Sequence, residues 1–276
     1  MTISALTPDL EQLKSRLKSI WMAGDYDRFS RYMEGSAREF YERLSVLRGG
    51  KWLDVACGSG QLALMAARDG LDVTGVDIAS NLVECARSRA REEGLHARFE
   101  EADAEALPFD DAEFDVVTSL IGAMFAPRPD IVAAELLRVC KPGGVIAMAN
   151  WTPQGFVGQM FKTISKFIAP SGMPSPVLWG DETTVTERFG LGLSDLRLVR
   201  RHYTFTYDFP PVAVVELLRR YYGPINQAFA ALDGHGRDRL RAELEALWAA
   251  HNRAGRDSTT VYAEYLEVVG IRAEES

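Results

Sequence analysis

Cysteine and histidine are scarce in this chain of 276 residues, long apolar runs are missing, and basic residues are outnumbered. Cys57, Cys85 and Cys140 stand too far apart for a CxxC or Cys/His ligand pattern, so neither a metal site nor a disulfide framework is expected. They read as reduced thiols, and a cytoplasmic location follows. No window of about 20 apolar residues is present to span a bilayer, and the N-terminal MTISALTPDLEQLKSRLKSIW lacks the uninterrupted apolar core of a secretory signal. Lys and Arg number 31 against 39 Asp and Glu, a net charge of -8. That balance disfavours nucleic acid and anionic membrane as partners and favours a small or cationic ligand.

What the chain does have is an apolar fraction of 47%, enough for a sizeable core in one large domain or a core domain with an elaboration. From Asp9 to about Leu47, Leu10, Leu13, Leu17, Ile20, Phe40, Leu44 and Leu47 recur at helical spacing, interrupted at AGDYDRF, which predicts two or three helices before the first strand. Strand and helix then alternate: WLDVA, a helix from about Gly60 to Arg68, DVTGVD, a helix from Asn81 to Glu93, and ARFEEAD. FDVVTSL, a helix from Asp130 to Val139, a KPGG turn and VIAMANW continue the series. Short β-branched strands separated by helices require crossovers, hence a parallel sheet in a doubly wound α/β domain. Beyond Trp151, PQGFVGQMFKTISKFIAPSGMPSPVLWG reads as a loop and short helix over one end of the sheet. A helix near Thr184–Phe189, a strand near Leu196–Tyr207, helical periodicity over 210–255 and a closing strand TTVYAEYLEVVGI follow. The last two strands are most simply an antiparallel pair with a helical insert between them.

The stretch KWLDVACGSG puts an acid and a glycine loop at the end of an apolar strand, a place where something approaches the backbone closely. GSGQLA also fits the dinucleotide pattern G-x-G-x-x-G/A. In a dinucleotide site, however, a pyrophosphate meets the helix N-terminus, and Asp54 would set a negative charge beside it. Asp77 and Asp103 also stand at strand ends, and ligands bind at the C-terminal edge of an open parallel sheet, so three carboxylates converge on one crevice. An amino-acid nucleoside carries the matching groups: an ammonium for Asp54, ribose hydroxyls for Asp77 and an exocyclic amine for Asp103. The same residues have plainer readings, a tight turn for the glycines and a helix N-cap for Asp77.

LDVACGSG, VTGVD, EADAEALPF, FDVVTSL and LLRVCKPGG, in that order over roughly residues 45–150, resemble the motifs of class I S-adenosylmethionine-dependent methyltransferases. They closely resemble the small-molecule branch, which includes quinone-biosynthesis enzymes. The resemblance implies a seven-stranded, mostly parallel Rossmann-like sheet with an antiparallel last strand, and S-adenosylmethionine across the strand ends, leaving as S-adenosylhomocysteine. Carried over, Ala56, Gly58, Ser59 and Gly60 would bring the backbone to the methionine part, and Asp77 would hold the ribose. Ile78 would pack on the adenine, Asp103 and Ala104 would touch its edge, and Ser119 with Leu120 would line the floor beside the sulfonium. Tyr26 would close on the methionine end from an N-terminal lid. The chain then divides into a lid (1–47), an α/β core (48–208), a helical cap insert (209–256) and a closing strand (257–276).

The acceptor leaves a fainter trace. After FDVVTSL the chain reads IGAMFAP, a departure from the Asp/Asn-Pro-Pro-Tyr motif of enzymes that methylate planar amines. Aromatic residues gather where the family builds its acceptor pocket, at Trp21, Phe125, Trp151, Tyr221 and Tyr222, although each also suits an ordinary core. Methyl transfer needs alignment more than a dedicated residue; should a base be used, His202 and His251 are the candidates, while His96 and His235 read as solvent residues. Gly223-Pro224 predicts a helix break in the insert, which is compatible with a cap over the acceptor, a turn between packed helices or a homodimer contact. The expectation is a methyltransferase for a small-molecule or short-peptide acceptor, with oxygen the preferred atom. A nicotinamide-dependent oxidoreductase and a non-catalytic S-adenosylmethionine-binding protein are the alternatives.

Overall fold

A computed structural model describes residues 9–44, 50–169 and 172–274; Leu47 lies outside them. Seven strands form one sheet in the order β3-β2-β1-β4-β5-β7-β6: β1 (Lys51–Val55), β2 (Asp72–Asp77), β3 (Ala97–Glu101), β4 (Phe114–Leu120), β5 (Cys140–Trp151), β6 (Leu193–Tyr207) and β7 (Thr259–Arg272). The first five run parallel, and β7 lies antiparallel between β5 and β6. This is the Rossmann-like arrangement that the motifs imply.

The crossovers are α4 (Gln61–Arg68), α5 (Ser80–Glu92) and α6 (Pro129–Val139). Trp52, Leu53, Val55, Val116, Val117 and Ile146 are buried in the sheet, and Leu62 to Ala67 of α4 pack on it. These runs are apolar on both faces because helices cover both sides of a parallel sheet. KPGG differs from the expected turn. It falls within β5 as a bulge, for Phe114 pairs with Cys140 and the next pair is Val116 with Val145. Gly143 takes φ 72° there, a left-handed value that glycine tolerates.

Three helices precede the sheet: α1 (Leu10–Met22), α2 (Tyr26–Ser30) and α3 (Glu34–Leu44). Between β5 and β6 lie α7 (Phe156–Ile164) and α8 (Glu182–Phe189). The insert between β6 and β7 contains α9 (Pro211–Tyr221), α10 (Gly223–Ala230) and α11 (Gly234–His251), with the break at Tyr222 where the Gly-Pro pair predicts it. A Cβ on Gly223 would lie 2.0 Å from the carbonyl oxygen of Ile20, so the missing side chain lets the end of α1 sit directly on the insert. Among the described residues no helix is long and apolar enough to cross a membrane.

Candidate functional site

The strand ends bring two acids together. Asp54 lies in β1 opposite Gly75 of β2, and Asp77 closes β2. After Val55 the chain turns through Ala56 (φ 57°), Gly58 (φ 55°) and Gly60 (φ 83°), all left-handed, into α4. Asp77 holds this turn: its Oδ2 accepts from the Gly58 N–H and its Oδ1 from the Ala79 N–H, each at 2.8 Å. Asp54 Oδ2 accepts from the Ala63 N–H at 3.2 Å, and its Oδ1 from the Thr118 hydroxyl at 3.3 Å.

Both carboxylates are buried, and among the described residues neither is paired with a cation. Burial is the largest influence on each. It pushes Asp54 up to about 7 against the hydrogen bonds of Thr118 and Ala63, and raises Asp77 against those of Ala79 and Gly58. Buried acids without a protein counter-ion complement a ligand that brings an ammonium and hydroxyl donors.

Facing them, β4 ends and the chain turns through Ile121 at φ 57°. A β-branched residue is strained in this region, on the order of 1–3 kcal/mol. A Cβ on Gly122 would lie 2.4 Å from the Ala56 carbonyl oxygen, so the strained turns after β1 and β4 abut through a residue that must be glycine. These turns, with Asp54, Asp77, Ile78 and the start of the loop after β3, line one cavity at the sheet's C-terminal edge.

The roof of this cavity is α1, which contributes Lys14, Leu17 and Trp21. No residue of α1 is fully buried. Lys14 Nζ reaches Asp103 Oδ2 at 2.5 Å and Glu105 Oε2 at 2.6 Å, and Lys18 pairs with Glu101. Burial acts to lower Lys14, but the hydrogen bonds and charges of Asp103 and Glu105 outweigh it and hold the ammonium above its usual range. Trp21 packs against Phe125 with the rings tilted by 60° and their centroids 4.8 Å apart.

Of the residues named from sequence, Tyr26, Asp54, Ala56, Gly58, Asp77, Ile78, Asp103, Ala104 and Leu120, with Trp21 and Phe125, line this cavity. Three do not. Ser119 is buried behind the lining, its hydroxyl accepting from the Ala123 N–H at 2.9 Å. Ser59 turns toward α2, its hydroxyl 3.4 Å from that of Ser30. A Cβ on Gly60 would meet Ala86 and Phe99 at 3.1 and 3.2 Å, so that glycine serves helix packing. Asp103 is at the edge, but with Lys14 on one oxygen and the Glu105 N–H on the other. Lys14, Cys57, Gln61 and Ile121 went unnoticed in the sequence. Lys14 had one signal, its position three and seven residues before Leu17 and Trp21 on one helix face.

A second cavity adjoins the first and shares Trp21, Tyr26, Ile121 and Phe125 with it. Its other walls are Trp151, Phe156, Met160, Tyr207, Tyr222 and Trp248 among apolar neighbours, with no acid, histidine, lysine or arginine. Burial raises the phenols of Tyr26, Tyr207 and Tyr222, so all three remain neutral donors. The Tyr207 hydroxyl and the Trp248 indole N–H are buried without a hydrogen-bond partner among the described residues, a cost of about 1–3 kcal/mol each. Tyr221 lines neither cavity and lies under the Arg28 guanidinium at 4.7 Å. His202 and His251 are also outside both: His202 sits by Tyr262, and His251 Nδ1 is 3.0 Å from the Leu247 carbonyl oxygen.

Comparison with known proteins agrees with this geometry. A family model described as a methyltransferase domain matches residues 53–148. An uncharacterized protein of Mycobacterium tuberculosis is 37% identical over 235 residues, 84% of this chain and 86% of that protein. The demethylmenaquinone methyltransferase of Thermus thermophilus is 38% identical over 122 residues, 43% of this chain and 56% of that protein. Among solved structures, the YcgJ protein of Bacillus subtilis superposes with a TM-score of 0.60 at 19% identity, covering 86% of this chain and 100% of that chain, a likeness of fold.

Proposed function

We propose a reaction for this chain, which belongs to the class I S-adenosylmethionine-dependent methyltransferases: transfer of a methyl group to an oxygen of a small or medium-sized organic acceptor. The carrying observation is the pair of buried carboxylates, Asp54 and Asp77, which face one cavity and, among the described residues, have no cation paired with them. S-adenosylmethionine supplies, when bound, a methyl group activated on a sulfonium.

In this reading Asp54 takes the ammonium and Asp77 the ribose hydroxyls, through lone pairs left over from Gly58 and Ala79. Gly58, under the Tyr26 ring, brings backbone close to the methionine part, and Ile78 and Ala104 flank the base. Tyr26 and Trp21 close the site from α2 and α1 and exclude water. Alignment of this kind contributes roughly 7–11 kcal/mol in favourable systems, so no dedicated catalytic residue is required.

The uncharged second cavity supports an oxygen acceptor, since it holds no carboxylate for a protonated amine. The acceptor oxygen's lone pair forms the new O–C bond as the S–C bond breaks with its electrons going to sulfur, and the acceptor's proton leaves to solvent. The test is calorimetric titration with S-adenosylmethionine and S-adenosylhomocysteine, reduced nicotinamide dinucleotide serving as control, followed by a methyl-labelled donor over a panel of phenols, amines and short peptides. Micromolar binding of the first two alone and label on phenols are expected. Binding of the nicotinamide alone would overturn the donor assignment, and label only on amines would overturn the choice of oxygen.

A further inference from the structure

The second cavity brings together four observations. It is continuous with the donor cavity through Trp21, Tyr26, Ile121 and Phe125. Its walls are aromatic and aliphatic, with Phe156 against Trp248 at 4.6 Å and Tyr207 against Trp248 at 6.0 Å between ring centroids. No ionisable group other than tyrosine lines it. Two of its lining residues carry buried donors, the Tyr207 hydroxyl and the Trp248 indole N–H, that have no partner among the described residues, and each residue is only 2% exposed.

Each observation restricts the occupant. Aromatic walls favour a flat molecule that stacks or meets ring edges. The missing counter-ion excludes a fixed charge, which would be desolvated without compensation. Two donors with nothing to donate to call for an acceptor atom on the ligand, because a site built to hydrogen-bond discriminates strongly against an analogue lacking that atom. The wall rings lie close together, Phe156 and Trp248 only 4.6 Å apart between centroids, so the occupant enters as side chains move, and α1, with no buried residue, is the wall that can yield.

We propose that the second cavity takes the methyl acceptor as a flat, uncharged aromatic whose oxygen is held by Tyr207 and Trp248. This rests on the donor assignment above and adds the acceptor's chemical class. Tyr207 at the end of β6 and Trp248 in α11 are then specificity residues supplied by the two sides of the insert. Because the only ionisable groups of the lining are phenols that already hold their protons, none can act as a base, and the acceptor hydroxyl brings its own acidity, as a phenol or enol does.

The test uses the full chain saturated with S-adenosylhomocysteine and three probes in equilibrium dialysis: 1-naphthol, naphthalene and 1-naphthoate. 1-Naphthol should bind at least about tenfold tighter than either of the others, two hydrogen bonds and one desolvated charge being the differences. Tyr207→Phe and Trp248→Phe should each lose about threefold to tenfold of the preference over naphthalene, with S-adenosylhomocysteine affinity unchanged as proof of folding. Equal binding of the three probes, or a preference that survives in both variants, overturns the assignment of the acceptor class. Failure of the wild-type chain to bind S-adenosylhomocysteine at all would instead overturn the donor reading, and this inference with it.

Discussion

The floor of the donor cavity is held by buried groups, with Asp54 and Asp77 fixed by backbone N–H donors at the ends of neighbouring strands. Its roof, α1, has no buried residue and is held by lysine–carboxylate pairs at its edge and by Trp21 on Phe125. On the proposed reading, groups that are buried and over-determined set what binds, whereas a half-exposed helix held by ion pairs sets when the site is open. Recognition and access are thus assigned to different elements.

The strongest attempt to break that division is Asp77→Ala. S-adenosylhomocysteine affinity should fall about 10–100-fold, or roughly 1.5–3 kcal/mol, and the melting temperature should drop because Gly58 and Ala79 lose their acceptor. Calorimetry and a thermal scan read both, and unchanged affinity in a folded variant would take Asp77 out of recognition.

Asp54 sharpens the comparison through pH. Its carboxyl titrates at about 7 in the folded chain, and the ionised form is the one that suits an ammonium. S-adenosylhomocysteine affinity should therefore rise as pH approaches about 7 and level off above it. Asp54→Asn should flatten that profile and bind about tenfold more weakly at pH 8, one hydrogen-bonded charge being worth roughly 1.5 kcal/mol. The stability effect has the opposite sense. With its folded value above the ordinary 3.8, Asp54 keeps a proton that the unfolded chain has lost, so ligand-free stability declines as pH rises from about 4 to about 7. Urea denaturation across this window, with and without Asp54→Asn, isolates the contribution.

Changes to the roof should act on rates. Lys14→Met removes the latch on Asp103 and Glu105, and S-adenosylhomocysteine should dissociate several-fold faster in stopped flow while its Kd moves less than about threefold. An affinity loss as large as that of Asp77→Ala would abolish the distinction between floor and roof. Lys18→Ala should do least, within about 0.5 kcal/mol in urea denaturation and less at high salt, because its pair with Glu101 is half exposed.

The floor was legible in the sequence because strand ends and acids are local features: LDVACGSG and VTGVD place Asp54 and Asp77 without tertiary information. Ser119 falls outside the cavity lining while its neighbour Leu120 is in it, because a single residue's parity on β4 decides which side it faces. The roof was hidden for a different reason. Lys14 looks like any solvent-facing lysine of an amphipathic helix until β3 and its loop present Asp103 and Glu105 to it. Tyr207 and Trp248 were missed because they are brought together only by the helical insert folding back beside β6. The histidines drew attention by their chemistry, yet the sheet carries His202 to its outer strand.

The pairing of β6 with β7 runs unbroken from Asp195 to Tyr207, which faces Thr259. The three helices of the insert therefore leave and rejoin the fold at the two ends of one rung of the ladder, β7 lying three strands and β6 four strands from β1 in the sheet order. A segment tethered in this manner can be exchanged for a longer or shorter one at little more than the slowly growing entropy of loop closure. Its replacement leaves the registers of β1 and β2 untouched. On the proposed reading, a laboratory chimera joined at Tyr207 and Thr259 should keep its own donor affinity while its acceptor preference changes with the new insert.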